Sequence, residues 1–242
     1  MLGGAPSMGD DGKSAAAKLA AKNGICVIKP DYIGVGRSDG KFTFRSTIAT
    51  IYACLDLLKG KVQALNIAED KLLSLISIKN IILSGGSFGG AIAPFVELYQ
   101  KSSIQDILLV MPVTNWVTQN APYYTGDESI AEFENVMKIG LKNIWRGYSS
   151  TEWPQIVRGK IKKLNPINNT HLLKGKQVYI YHGTKDKSVS WHDSHNYYLK
   201  LKKENLVEDV VFEKLINHGH SSNAATEAMR RFINTYKKTN KI

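Results

Sequence analysis

An α/β fold, a mostly parallel sheet with helices on both faces, is what this sequence predicts. Three observations carry that expectation. Short apolar runs alternate with longer amphipathic ones, the short runs are β-branched or aromatic on successive residues, and the longer ones repeat at helical spacing. Strands buried on both faces need that unbroken apolar pattern. Strand–helix alternation then returns each strand parallel to the last, with its helix packed over the sheet.

The elements follow in order. An amphipathic stretch over 13–22 precedes a first expected strand, Ile25-Cys26-Val27-Ile28. A helix over 47–65 leads to Asn80-Ile81-Ile82-Leu83, and a helix over 89–100 leads to Ile107-Leu108-Leu109-Val110. Val178-Tyr179-Ile180-Tyr181 and Val210-Val211-Phe212 complete the strands, followed by helices over 192–203 and 223–236. Residues 115–166 break this rhythm. They hold Trp116, Tyr123, Tyr124, Trp145, Tyr148 and Trp153, with helical spacing over 130–145. A connection of that length is expected to be a helical insertion, either a lid over a site or an excursion whose aromatics form its own core. The 242 residues suit a single domain, 1–242, carrying that insertion, with no repeat or low-complexity linker to divide it.

Composition narrows the class. With 43% hydrophobic and 22% charged residues the chain can bury a sizeable core. No stretch approaches the roughly 20 apolar residues of a membrane span. Met1-Leu2-Gly3-Gly4-Ala5-Pro6 has neither a charged leader nor an apolar signal core, so a soluble, cytoplasmic protein is expected. The net charge of +11, from 32 basic and 21 acidic residues, is spread along the chain. Its densest runs are as short as Lys160-Ile161-Lys162-Lys163, and no basic motif interleaved with aromatics marks a nucleic-acid partner. A basic, solvated surface is the expectation. Cys26 and Cys54 are expected to be buried and reduced, neither bridged nor nucleophilic.

The chemistry is concentrated after the predicted strands. Ser84-Gly85-Gly86-Ser87-Phe88-Gly89-Gly90 follows one strand and opens a helix, which is the setting of a G-x-S-x-G nucleophile turn. Such a turn is crowded, and its neighbours must lack side chains for it to close. The helix behind it aims free N–H groups at a developing oxyanion. Ser87 is therefore the expected nucleophile and the Phe88 N–H an oxyanion donor. A phosphate-cradling loop is the alternative, but no Lys-Ser/Thr follows at the required spacing.

Serine needs a base and an acid further along the chain. Asp186 lies just past the strand Val178–Tyr181, in His182-Gly183-Thr184-Lys185-Asp186-Lys187-Ser188-Val189, and is the expected acid, with Asp193 as its nearest rival. After the last strand, Asn217-His218-Gly219-His220-Ser221 offers two imidazoles. His220 is the favoured base and His218 the alternative. His171, His182, His192 and His195 read as ordinary polar or core residues. The pair His192-x-x-His195 has no carboxylate or thiol to complete a ligand set, so no metal and no cofactor is expected.

Taken together, Gly85-Gly86-Ser87-Phe88-Gly89-Gly90, Asn165-Pro166-Ile167, His182-Gly183-Thr184-Lys185-Asp186-Lys187-Ser188-Val189 and Gly219-His220 resemble the catalytic domain of the α/β hydrolases. The glycine pairs around Ser87 and the Asn-Pro-Ile before His-Gly-Thr-x-Asp resemble especially its prolyl-oligopeptidase-like branch. Asp31-Tyr32-Ile33-Gly34-Val35-Gly36-Arg37-Ser38-Asp39-Gly40 is similar to the loop after that family's fourth strand. The stretch from Val210 to Ser222 resembles the tail of acyl-protein thioesterases and carboxylesterases, which also favours His220. The resemblance implies a serine hydrolase acting on a small ester, a thioester or a short peptide. By the same resemblance Gly3-Gly4-Ala5-Pro6 corresponds to the loop after the third strand, and the second oxyanion donor carries over to Ala5. The family has three strands before that loop. Their absence is expected to leave two rows of backbone groups unpaired beside an apolar slot, and so to make this polypeptide poorly soluble or oligomeric. A truncated, non-catalytic relative is the competing expectation.

Overall fold

The computed structural model describes residues 1–4, 12–74, 78, 80–119, 144–149 and 151–238. Helix α1 (Ala15–Lys22) starts at Ser14, whose hydroxyl accepts the Ala17 N–H. Helix α2 (Phe44–Leu58) opens on a reciprocal capping box between Thr43 and Ser46 and stops before Gly60, whose φ of +69° lies in the left-handed region. The expectation of helix as far as residue 65 is thus corrected. The chain turns at Gly60 and makes an antiparallel hairpin, β1 (Ala64–Asn66) with β2 (Lys71–Leu73).

The main sheet follows: β3 (Ile82–Gly86), β4 (Asp106–Val110), β5 (Gln177–Gly183) and β6 (Asp209–Leu215), all parallel and adjacent in chain order. Register runs straight across the sheet, with Gly86 beside Val110, Val110 beside Tyr181 and Tyr181 beside Glu213. The carboxyl ends of these strands therefore share one edge. Short helix α3 (Phe88–Ile92) runs directly into a 3₁₀ turn (Ala93–Glu97) at Pro94, and α4 (Trp116–Gln119) and α5 (Glu152–Val157) lie within the insertion. Helices α6 (Trp191–Glu204) and α7 (Ser222–Lys238) follow β5 and β6.

Alternation along the strands fills both faces. Ile107, Leu109, Val178 and Ile180 join the core that α2 and α6 cover, while Leu108, Val110, Tyr179 and Tyr181 join the core that α1 and α7 cover. Four of the five expected strands form this sheet; β4 and β5 are buried on both faces, whereas β6, at the edge, is largely half-buried. No helix among the described residues is long and apolar enough to cross a membrane.

The fifth expected strand is different. Ile25–Ile28 carries no ladder pairing, its residues are half-exposed, and Cys26 is exposed rather than buried. Cys54 is half-buried and both thiols are free. The physical reason lies next door. A strand is completed by neighbours, and among the described residues Leu2 is what pairs with β3 on this side, bridging Gly85 in parallel and donating to the Ser84 carbonyl at 2.6 Å. The Met1 nitrogen reaches the Ile28 carbonyl at 2.7 Å. Beside them opens an apolar cavity of about 540 Å³, walled by Val27, Ile51, Leu55, Leu83, Met229 and Phe232 among others.

Within the insertion, residues 120–143 lie outside the described part, including Tyr123, Tyr124 and most of the helical spacing over 130–145. The described aromatics are core residues. Trp153 is fully buried, stacks on Phe42 with ring centroids 4.8 Å apart, and donates its indole N–H to the Phe42 carbonyl; Trp145 packs on the same Phe42 ring. Replacing Trp153 with Ala is expected to destabilise the protein by about 3–5 kcal/mol, the range for deleting a large buried aromatic. Urea unfolding of the two proteins measures this; a change under about 1 kcal/mol contradicts the role given to that ring.

Candidate active site

The nucleophile turn begins where β3 ends. Ser87 sits at φ 52° and ψ −118°, a region that non-glycine residues rarely adopt. Three backbone bonds hold it: its N–H donates to the Val110 carbonyl at 3.1 Å, and its carbonyl accepts from Gly90 and Val113 at 3.0 and 3.1 Å. Two neighbours leave no space for a side chain. A Cβ on Gly85 would run into the Gly89 carbonyl, and one on Gly90 would lie 2.7 Å from the Pro112 Cα. The N-terminal backbone passes over the turn, so that a Cβ on Gly4 would sit 3.1 Å from the Ser87 Cβ. Phe88 is the first residue of α3, and its N–H has no acceptor within that helix. Ala5 lies outside the described residues.

The expected acid and the expected base follow β5 and β6, on the same edge of the sheet. Asp186 follows β5, and its side chain is fully buried. One carboxylate oxygen, Oδ1, accepts the N–H groups of Ser188 and Val189, both at 2.9 Å. The other, Oδ2, meets His220 Nδ1 at 2.7 Å and His182 Nε2 at 3.1 Å. Burial works to raise the Asp186 pKa, but the hydrogen bonds and charge of His182 and His220 outweigh it and hold the carboxyl well below the usual range.

The loops after β5 and β6 are laced by backbone. Lys185 donates to the His218 carbonyl at 2.8 Å and Thr184 to the Leu215 carbonyl at 3.0 Å, while a Cβ on Gly183 would run into the His218 carbonyl. His218 thus serves through its main chain, and its ring makes no hydrogen bond among the described residues. His220 is the imidazole brought to the acid. Asp193, the rival carboxylate, points elsewhere: it is buried in the first turn of α6 and accepts the Thr118 hydroxyl at 2.7 Å. Burial raises its pKa by more than that bond lowers it. The Ser87 hydroxyl is half-buried and makes no hydrogen bond among the described residues.

The comparisons with known proteins concern solved structures alone. No protein-family model matches the sequence, and no curated protein does. Esterase B from Lactobacillus rhamnosis superposes with a TM-score of 0.63 at 18% identity, over 99% of this chain and 73% of that one. Est1E from Butyrivibrio proteoclasticus, solved with ferulic acid, gives 0.59 at 16%, over 97% and 86%. A puromycin-hydrolysing peptidase of Mycobacterium tuberculosis gives 0.62 at 13%, over 98% of this chain and 34% of that one. This chain also spans 31% of the length of a puromycin hydrolase.

The fold is that of the α/β hydrolases.

Within this hydrolase fold the loop 31–40, singled out by resemblance, lies against the N-terminal backbone. Tyr32 is buried there and donates its hydroxyl to the Gly3 carbonyl at 3.0 Å. His192 packs on Trp191, and His195 packs on Tyr198 and Phe212, as ordinary side chains do. Among the described residues no group of three or more His, Cys, Asp or Glu could hold a metal. His182, read from the sequence as an ordinary core residue, is instead a second imidazole on the acid. The signal that could have marked it is a polar residue at a buried position of a strand, four residues before the acid.

The depressed Asp186 pKa sets a stability dependence whose sign is fixed. A carboxyl held below its unfolded value of about 3.9 contributes stability that is fully present above that value and is lost as pH falls toward the folded one. The stability margin of the wild type over Asp186→Asn should therefore be present at about pH 5 and shrink below about pH 4. Denaturant unfolding at a series of pH values measures it. A margin unchanged down to about pH 2 contradicts the assigned shift.

Proposed function

We propose that this chain is a serine hydrolase that cleaves a carboxylic acyl bond through an acyl-enzyme, with Ser87 as nucleophile, His220 as general base and Asp186 as the acid that orients it. The observation that carries the reading is the 2.7 Å contact between His220 Nδ1 and a buried carboxylate, on the sheet edge that also bears a serine in a strained turn. A carboxylate on Nδ1 fixes the proton there and leaves Nε2 as the acceptor. His220 then takes the Ser87 proton as the hydroxyl attacks the acyl carbonyl. Asp186 steadies the imidazolium without taking its proton, and the Phe88 N–H receives the oxyanion, with Ala5 as the second donor by resemblance. The imidazolium protonates the leaving group. Water, activated by the same imidazole, releases the acid.

An ester is the favoured substrate class. The chain matches 73% and 86% of the length of two esterases but about a third of the peptidases that share its fold. A short-peptide substrate is the second reading, favoured by the likeness to a puromycin-hydrolysing peptidase at a TM-score of 0.62. A panel of p-nitrophenyl esters beside aminoacyl and prolyl p-nitroanilides separates the two. Against the best substrate, Ser87→Ala and His220→Ala are expected to lose on the order of 10⁴-fold or more in kcat, the scale of triad knockouts. His218→Ala should stay within about tenfold, since its ring has no part in the chemistry. A fluorophosphonate probe should label the wild type and not Ser87→Ala. An unlabelled wild type would support a non-catalytic use of the fold and overturn the enzyme reading.

A further inference from the structure

We propose that His182 is a positioning residue for the acid–base pair, holding the Asp186 carboxylate from inside the core in the orientation that His220 needs. The inference rests on the triad reading above and deepens it.

His182 is the next-to-last residue of β5 and is fully buried. Its ring spans the space between the sheet and α6. Nδ1 lies 2.8 Å from the Ser194 hydroxyl, and Nε2 lies 3.1 Å from Asp186 Oδ2 and 3.0 Å from the Val189 carbonyl. The proton positions follow from the partners. A backbone carbonyl can only accept, so Nε2 carries the hydrogen and shares it between Val189 and Asp186. In the neutral ring Nδ1 accepts, and Ser194 donates to it. Every polar atom of a buried imidazole is then satisfied without placing a second positive charge beside the acid.

The two ends of this arrangement are anchored differently from an ordinary core histidine. Ser194 is itself fully buried, and its oxygen lies 3.5 Å from the Pro112 carbonyl. Pro112 is the residue that closes over Gly90, behind the nucleophile turn. At the other end, Asp186 Oδ1 is held by Ser188 and Val189, and Oδ2 meets the two imidazoles. Oδ2 is fixed by His182. The same oxygen takes the His220 hydrogen bond, so the direction in which His220 is held depends on where His182 puts it. Sharing also divides charge. One N–H from His182 draws electron density from the oxygen that faces His220, and its removal would leave the full carboxylate charge to His220 and favour the imidazolium. The electrostatic partners of Asp186 are His182 and His220, and His182 faces in addition Asp193 from α6, which the variants below leave in place.

The test compares His182→Phe, which removes both ring nitrogens, with His182→Gln, which keeps a donor near Nε2, and with Ser194→Ala, a milder change that frees Nδ1. Each is assayed on the best ester for kcat, KM and the pH dependence of kcat/KM, whose acid limb reports the base of the free enzyme. His182→Phe should lower kcat on the order of 10²-fold, the scale of a small misplacement of catalytic groups, with KM little changed. Its acid limb should move to higher pH. His182→Gln should recover most of the rate and return the limb, and Ser194→Ala should move both in the direction of His182→Phe by less. A purely structural role would lower the amount of folded enzyme and leave the limb where it was, and that result overturns the proposal. Should His182→Phe not fold, an unmoved limb and rate in Ser194→Ala overturns it equally. Ser87→Ala runs beside these variants. An unchanged Ser87→Ala overturns the triad and this role together, whereas an inert His182→Phe beside an inactive Ser87→Ala and a wild-type-like limb in Ser194→Ala overturns the positioning role alone.

Discussion

A serine backbone held at φ 52° and ψ −118° is the constraint from which the rest of the site follows. Such a residue costs on the order of 1–3 kcal/mol and persists only where its surroundings over-determine it. Here they do so with three backbone hydrogen bonds, two of them to the segment that leaves β4. The glycines at 85 and 90 are consequences of the same constraint, because the helix must start within two residues of the strand's end and pass between a carbonyl and Pro112. Parallel pairing does the remaining work. With β3 to β6 in straight register, the residues that follow each strand emerge on one edge, where Asp186 and His220, distant in sequence, meet at 2.7 Å.

The second requirement is electrostatic. A carboxylate with no exposed surface must replace its water, and Asp186 does so with two main-chain N–H groups and two imidazoles. The two carboxyls considered from the sequence part company on this point alone. Asp193 has one hydroxyl partner and a raised pKa; Asp186 has four donors and a depressed one. Of the two, Asp186 is the one whose ionised form its surroundings favour. The lacing of the β5 and β6 loops is what makes four donors available. The backbone bonds at Thr184, Lys185 and His218 fix the distance between the carboxylate and His220 before any side chain is placed.

How much of this was legible in the sequence depends on which physical signal each element leaves. β4 and β5 leave a strong one, since a strand covered on both faces must be apolar over most of its length, and β3 and β6 leave shorter apolar runs of the same kind. Ile25–Ile28 leaves the same signal, yet pairing belongs to the neighbour, and among the described residues it has no ladder partner, only the Met1 nitrogen on the Ile28 carbonyl. The hairpin β1–β2 was not legible at all: Leu65 and Leu72 are exposed, so no buried face imposes a two-residue period. Gly60 hid the early end of α2 inside an otherwise helical pattern. At the site, the elbow was legible because crowding demands glycine at fixed offsets, and Asp186 because it follows a strand. The choice of His220 over His218 rests on the small hydroxyl residue and helix that follow it and on resemblance, since two imidazoles two residues apart carry equal chemistry until backbone geometry assigns the His218 carbonyl to Lys185. His182 was missed because burial, which a sequence suggests well, says nothing of what a buried ring touches.

These constraints also decide which part of the site moves. Asp186 is fixed by four donors, its loop is tied further by Gln119, whose side chain donates to the Ser188 carbonyl at 2.6 Å, and the His220 ring is bound to it at 2.7 Å. The backbone of Ser87 is fixed by its own three bonds. What is left unbonded is one hydroxyl on one rotatable torsion, with staggered positions of similar energy. For the proposed reaction, a hydroxyl that turns on one bond within a hydrogen-bonded frame keeps reorganisation small when charge develops.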